Sequence, residues 1–137
     1  AVEKAAQNAA GKAVKATHAY IRSRDRSCVS CGKHLSGKYD AGHYFNSNDY
    51  PALRYDERNI HAQCPRCNSA KMKGGNLLEY RMGLVNRYGE AFVKELEVLS
   101  RSPAYKYTIP IYQFIEKYYK DKLKALDTAT KQRNNES

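Results

Sequence analysis

The 137 residues carry 24 Lys and Arg against 14 Asp and Glu, a formal charge of +10, and 42% of positions are apolar or aromatic. A chain of this length is about one domain, and its apolar content argues against disorder over most of it. No apolar run reaches the roughly 18 residues of a membrane span, and no signal-peptide pattern opens the chain. The basic excess is spread along the whole length, which points to an acidic partner, nucleic acid ahead of membrane, or simply to a solvated basic surface. The chain starts at Ala1 with no initiator Met, so we read it as a processed or truncated piece of something longer.

Residues 2–24 predict a helix, because Val2, Ala6, Ala9, Ala13, Thr17 and Tyr20 recur at three- and four-residue steps beside Ile21. The stripe is mostly alanine, and Gly11 costs about 1 kcal/mol of helix propensity, so this helix needs a partner to pack on. From Cys28 to about Asn76 the helical period vanishes and Gly, Ser, Asn and Asp punctuate short extended pieces, a loop-and-hairpin region too poor in apolar residues to hold itself together. Asn76 then caps a helix whose Leu77, Leu78, Leu84, Val85 and Tyr88 share a face, and Gly89 ends it. A second helix runs from Glu90 to about Ser100 with Phe92, Val93, Leu96 and Leu99 inward. After the Ser102-Pro103 break, Thr108 and Pro110 open a third helix through about Asp127, carrying Ile111, Phe114, Ile115, Tyr118 and Leu126 inward. Tyr118-Tyr119 reads as helix core ahead of a stacking platform. The organisation expected is an N-terminal helix over 1–27, a module over 28–76, helices over 77–127 packing on that module, and a polar, frayed tail over 128–137.

All four cysteines lie in the weakly apolar middle, as Cys28-Val29-Ser30-Cys31 and Cys64-Pro65-Arg66-Cys67. Two such pairs present four thiolates that can close a tetrahedron around a structural Zn²⁺, and Gly32 follows the first as a tight turn requires. Two disulfides are the competing reading, but cysteines two residues apart are poorly placed to bridge each other. The 32 residues between Cys31 and Cys64 exceed the roughly 15–20 of a simple zinc ribbon, so the insert is where chemistry is to be sought.

Inside the insert stand Asp40-Ala41-Gly42-His43-Tyr44 and Asp56-Glu57-Arg58-Asn59-Ile60-His61-Ala62-Gln63, the latter leading into Cys64-Pro65-Arg66-Cys67-Asn68 and Lys71. This arrangement resembles the HNH, or ββα-metal (His-Me finger), nucleases. There a His ends the first strand, an Asn about fifteen residues later fixes the hairpin, and a His or Asn at the start of the next helix binds the catalytic metal. His43, Asn59 and Asn68 occupy those places. More narrowly, the stretch from about Tyr20 to Tyr80 is similar to the phage NinG (Rap) recombination nucleases, whose members typically carry a further cysteine-rich N-terminal segment. The fold implied is mainly α, with flanking helices around a small zinc-braced ββα-metal module. The function implied is structure-selective cleavage of branched DNA, such as Holliday junctions and D-loops, in the cytoplasm of a bacterial host.

The chemistry fits those positions. A neutral His43 can take a proton from water near neutral pH. Mg²⁺ or Mn²⁺ prefers oxygen ligands, and the side chains of Asn68 and Asp40 offer them. The family commonly has an Asp directly before the catalytic His, where this chain has Gly42. Asp40 lies three positions upstream of His43, which puts it on the opposite face of a regular strand unless a bulge at Gly42 re-aims it, and Asp56 or Glu57 could substitute. Asn59 reads as the residue that orders the loop, and for Asn68 metal binding stands ahead of the competing role of capping a helix that begins after Cys67. Arg54, Arg58, His61, Arg66, Lys71 and Lys73 are candidate DNA contacts to phosphate, which position DNA without reading bases. Symmetric cutting of a four-way junction needs two sites, so a homodimer is expected. A zinc-dependent DNA-binding module without catalysis, or an HNH nuclease acting on ordinary duplex, are the rival functions.

Overall fold

The computed structural model describes residues 2–69, 73–103 and 106–136, except for the side chains of Val2, residues 73–76 and Glu136. The elements run α1 (Val2–Arg24), β1 (Asp40–His43), a 3₁₀ turn (Pro51–Leu53), β2 (Ile60–Gln63), α2 (Lys73–Tyr88), α3 (Glu90–Leu99) and α4 (Ile109–Glu136). The protein is therefore mainly helical with one two-stranded antiparallel sheet. It divides into two compact units, Ala1–Arg24 with Lys106–Ser137, and Asp25–Tyr105.

The first unit pairs α1 with α4. Of the expected α1 stripe Ala13, Thr17, Tyr20 and Ile21 are buried and Ala6 and Ala9 half-buried, Ala16 is buried beside them, and Gly11 faces solvent. On α4 the buried aromatic is Tyr119, whose ring lies 5.7 Å from that of Tyr20. Phe114 and Tyr118, expected inside, are 69% and 39% exposed. A helix with one partner buries a narrow stripe, so of two adjacent tyrosines only one can lie on it. The helix also continues to Glu136 where the sequence reading ends it near Asp127. No Gly or Pro follows Asp127, Ala and Lys favour helix there, and the Thr128 and Thr130 hydroxyls donate back to the carbonyls of Lys124 and Leu126 at 3.0 Å.

In the second unit β1 and β2 pair one to one, Asp40 with Gln63, Ala41 with Ala62, Gly42 with His61 and His43 with Ile60. Below them Val29, Tyr80, Leu84, Val93 and Leu96 form a core, with Tyr44, Phe45, Val85 and Phe92 against it. The inner face of α2 is thus set by Tyr80 and Leu84, one turn apart, while Leu77 and Leu78 are 42% and 71% exposed, contrary to the sequence reading. A helix starting at Lys73 also places Asn76 inside it and not at its cap. Gly83 is where α2 meets the first cysteine pair, since a Cβ there would overlap the Val29 carbonyl oxygen. The Tyr80 hydroxyl donates to the Gly42 carbonyl at 2.7 Å, tying α2 to β1 one residue before His43.

Candidate functional site

The two cysteine pairs come together at the edge of the sheet. After Cys28 the chain turns through Gly32 at φ +77°, with the Gly32 N–H donating to the Cys28 carbonyl at 2.8 Å. The second pair turns the same way, the Asn68 N–H donating to the Cys64 carbonyl at 3.1 Å. All four sulfurs lie within 4.8 Å of one another, and Cys31 Sγ is 3.8 Å from Cys64 Sγ. A zinc tetrahedron with Zn–S bonds of about 2.3 Å has edges of about 3.8 Å. None of the four is in a disulfide, Cys28, Cys64 and Cys67 are buried against Leu35, and the four together can hold a metal ion such as zinc.

His43 ends β1. Its Nε2 lies 2.8 Å from the carbonyl oxygen of Arg54, an acceptor, so Nε2 carries the ring proton and Nδ1 the lone pair. Burial pushes its pKa below the usual 6.5, opposed in part by the Arg54 carbonyl, and keeps the ring neutral. The loop that supplies this carbonyl is fastened by Asn59, which is fully buried. Its Oδ1 accepts from the Phe45 N–H at 2.8 Å, and its Nδ2 donates to the carbonyls of Phe45 and Leu53 at 2.9 and 3.2 Å. The Tyr44 N–H, next to His43, donates to the Asn59 carbonyl at 2.9 Å.

On the other face of the strand pair stand Asp40, Gly42 and Gln63. The regular register leaves no bulge at Gly42, so Asp40 points away from the face of His43. An acid directly before the His would do the same, because adjacent strand residues alternate, and Asp40 shares the face that position 42 presents. Asn68 joins this face: its Nδ2 donates to Asp40 Oδ2 at 3.3 Å, and its Oδ1 lies 3.0 Å from where a Gly42 Cβ would be. Asn68 sits in the turn after the second cysteine pair, whereas α2 begins at Lys73. Asp56, the possible substitute acid, is instead bound to Arg58 at 2.7 Å.

The basic residues are more scattered in role than their sequence suggests. Arg58 is held between Asp56 and Glu95, at 2.7 and 3.0 Å. Arg54 donates to the Ser47 carbonyl at 3.0 Å, and Arg66 is exposed beside the cysteine cluster. His61 is a correction: at 1% exposure it is packed among Tyr80, Tyr88 and Phe92 and cannot reach phosphate. Its Nδ1 lies 3.2 Å from the Tyr80 hydroxyl, which itself donates to Gly42, so His61 supports the strand. Lys71 lies outside the described residues, as does the side chain of Lys73. Sequence reasoning missed Tyr80 and Gln63; Gly42, where the HNH resemblance expects an acid, is the position that both of them approach.

A family model described as "Bacteriophage Lambda NinG protein" matches residues 1–129. The chain belongs to the NinG family. It is 44% identical over 117 residues to "Protein ninG" of Escherichia phage 933W, covering 84% of this chain and 56% of that one. The same identity over the same length relates it to "Protein ninG" of Escherichia phage lambda, of which 55% is covered, and of Salmonella phage P22, of which 56% is covered. The chain thus spans about half the length of the NinG proteins it matches. No solved structure matches it, and no described helix is long and apolar enough to cross a membrane.

Proposed function

We propose that this NinG-family chain is a metal-dependent DNA endonuclease of the ββα-metal type, selective for branched recombination intermediates. The observation that carries the reading is His43 at the end of β1 with Nε2 on the Arg54 carbonyl, while Asp40 and Asn68 meet on the opposite face of the same short strand. A backbone carbonyl that fixes the tautomer of a neutral, half-buried His is the arrangement a general base requires.

Phosphodiester hydrolysis needs a water relieved of its proton, charge stabilisation at phosphorus, and help for the departing 3′ oxygen. His43 Nδ1 accepts the proton from the attacking water as the oxygen–phosphorus bond forms and the bond to the 3′ oxygen breaks. Asn59 keeps the loop from Phe45 to Arg54 in place, so that the ring cannot turn away. Asp40 and Asn68 offer side-chain oxygens, the donor set that Mg²⁺ or Mn²⁺ takes, and would hold such an ion. Bound there, it would supply positive charge to the leaving oxygen. A Zn²⁺ on the four cysteines would brace both ends of the insert. Arg66 and Arg54 are suited to phosphate, and the +10 charge attracts DNA without reading its sequence.

Branched DNA as the substrate and a homodimer as the acting form rest on the family resemblance and on the two sites a symmetric cut needs. The test is a cleavage panel of four-way junction, flap, single-stranded and linear duplex DNA with Mg²⁺ or Mn²⁺, run on wild type and His43→Ala. Faster cutting of junctions, lost in the variant, is expected. Equal rates on linear duplex would sink the selectivity, and no cutting with either metal would leave a zinc-dependent DNA-binding module.

A further inference from the structure

Gln63 is 1% exposed at the end of β2, the strand that enters the second cysteine pair. Burying a primary amide costs more than burying a hydrocarbon of the same size, so a Gln here needs a reason. Half of it is visible: Nε2 donates to Ser30 Oγ at 2.8 Å, which fixes which end of the amide points where. The other end, Oε1, is turned into the space that a Cβ on Gly42 would fill. Asn68 Oδ1 lies 3.0 Å from that same point, and Asp40, the cross-strand partner of Gln63, contributes its carboxylate from the same face. Two amide oxygens and a carboxylate are all acceptors. Gln63 and Asn68 bring their amide oxygens to one point while Asn68 Nδ2 links to the Asp40 carboxylate, and oxygens of this kind are the donors a hard cation takes.

We propose that Gln63 is a third side-chain oxygen donor to the divalent-cation site of Asp40 and Asn68, replacing the acid that Gly42 does not supply. This rests on the nuclease reading above. Gly42 and Gln63 then form one device: the strand gives up its side chain at position 42 so that an amide from the neighbouring strand can occupy that place. The purely structural account of Gln63, a tie between Ser30 and β2, predicts an effect on folding and none on metal affinity.

The test is Mn²⁺ binding by electron paramagnetic resonance to the full chain with its cysteines saturated with zinc, comparing wild type with Gln63→Met and Gln63→Glu. Met keeps the volume and removes the oxygen; Glu keeps the oxygen, accepts from the Ser30 hydroxyl where Gln63 donates to it, and adds a charge. Mn²⁺ binding weakened on the order of tenfold in Gln63→Met and tightened in Gln63→Glu is the expected result. Should Gln63→Met fail to fold, Gln63→Glu decides alone. Unchanged affinity in the folded variants overturns the role of Gln63 and leaves the nuclease reading standing, because wild type still binds the ion. A wild type that binds no Mn²⁺ and cuts no DNA overturns both.

Discussion

The two units are held together by different means. Between α1 and α4 the buried surface is a stripe of Ala13, Ala16, Tyr20 and Ile21 facing Tyr119, and Thr17, its hydroxyl bonded to the Ala13 carbonyl at 2.7 Å, is the buried polar residue among those described. The second unit buries Asp25, Ser30, Asn59, His61 and Gln63, and each has a bonded partner. Burying so many polar groups is costly unless every bond is made, and the return is side chains held at defined angles. Helix-face packing suffices to hold α1 against α4. The unit that holds His43 is built from specific bonds and four thiols.

The largest effect expected follows from those thiols. A structural zinc in a small module contributes on the order of 10 kcal/mol of apparent folding free energy. Stripping the metal with a chelator is expected to release the amides of β1, β2, α2 and α3 to rapid hydrogen exchange while α1 and α4 keep their protection. Equal loss in both units would break the comparison, since it would make the helical pair depend on the cysteines too.

Next in size is His43→Ala, for which cleavage is expected to fall about 10²- to 10⁴-fold with the circular dichroism spectrum unchanged. In wild type the acidic limb of the pH–rate profile should lie below pH 6.5, because burial lowers the pKa of His43. Stability has the same sense. A His whose folded pKa is depressed contributes above its unfolded value, and that contribution is lost as pH falls through the folded value. An acidic limb above 6.5 would mean that another group is the base.

How much was legible beforehand follows the same division. The α1 stripe, the four-cysteine cluster and the existence of all four helices could be read from spacing, because period and ligand interval are local properties of sequence. The face of α4 and the inner face of α2 were misread. Leu78 and Phe114 are apolar and near the right period, but which flank of a stripe is covered depends on its partner. Tyr80 and Gln63 could not be found locally at all. Their bonds to Gly42 and Ser30 span 38 and 33 residues, and pairings at that distance are created by the fold.

Buried bonds and close approaches should give the intermediate effects. Asn59→Ala removes three hydrogen bonds and strips the Phe45 N–H and carbonyl of that partner, while the Leu53 carbonyl keeps the Asp56 N–H, at a cost on the order of 3 kcal/mol by urea denaturation. Gly83→Ala pushes a methyl into the Val29 carbonyl, which is backbone and cannot swing aside, at about 1–3 kcal/mol. Both losses should appear in the second unit's amides and spare α1 and α4.

The smallest effect, that of Phe114→Ala, tests which side of α4 is inside when set beside Tyr119→Ala. Tyr119 is 2% exposed with its ring 5.7 Å from that of Tyr20, whereas Phe114 is 69% exposed although it is as apolar as any core residue. Removing a buried aromatic ring costs about 3 kcal/mol or more, while trimming an exposed one changes stability within about 0.5 kcal/mol. Tyr119→Ala should therefore lower the exchange protection of α1 and α4 sharply and Phe114→Ala should leave it almost unchanged. If the two were equal, the stripe would be wider than one partner helix can cover, and Phe114 would have to be packed against something beyond α1.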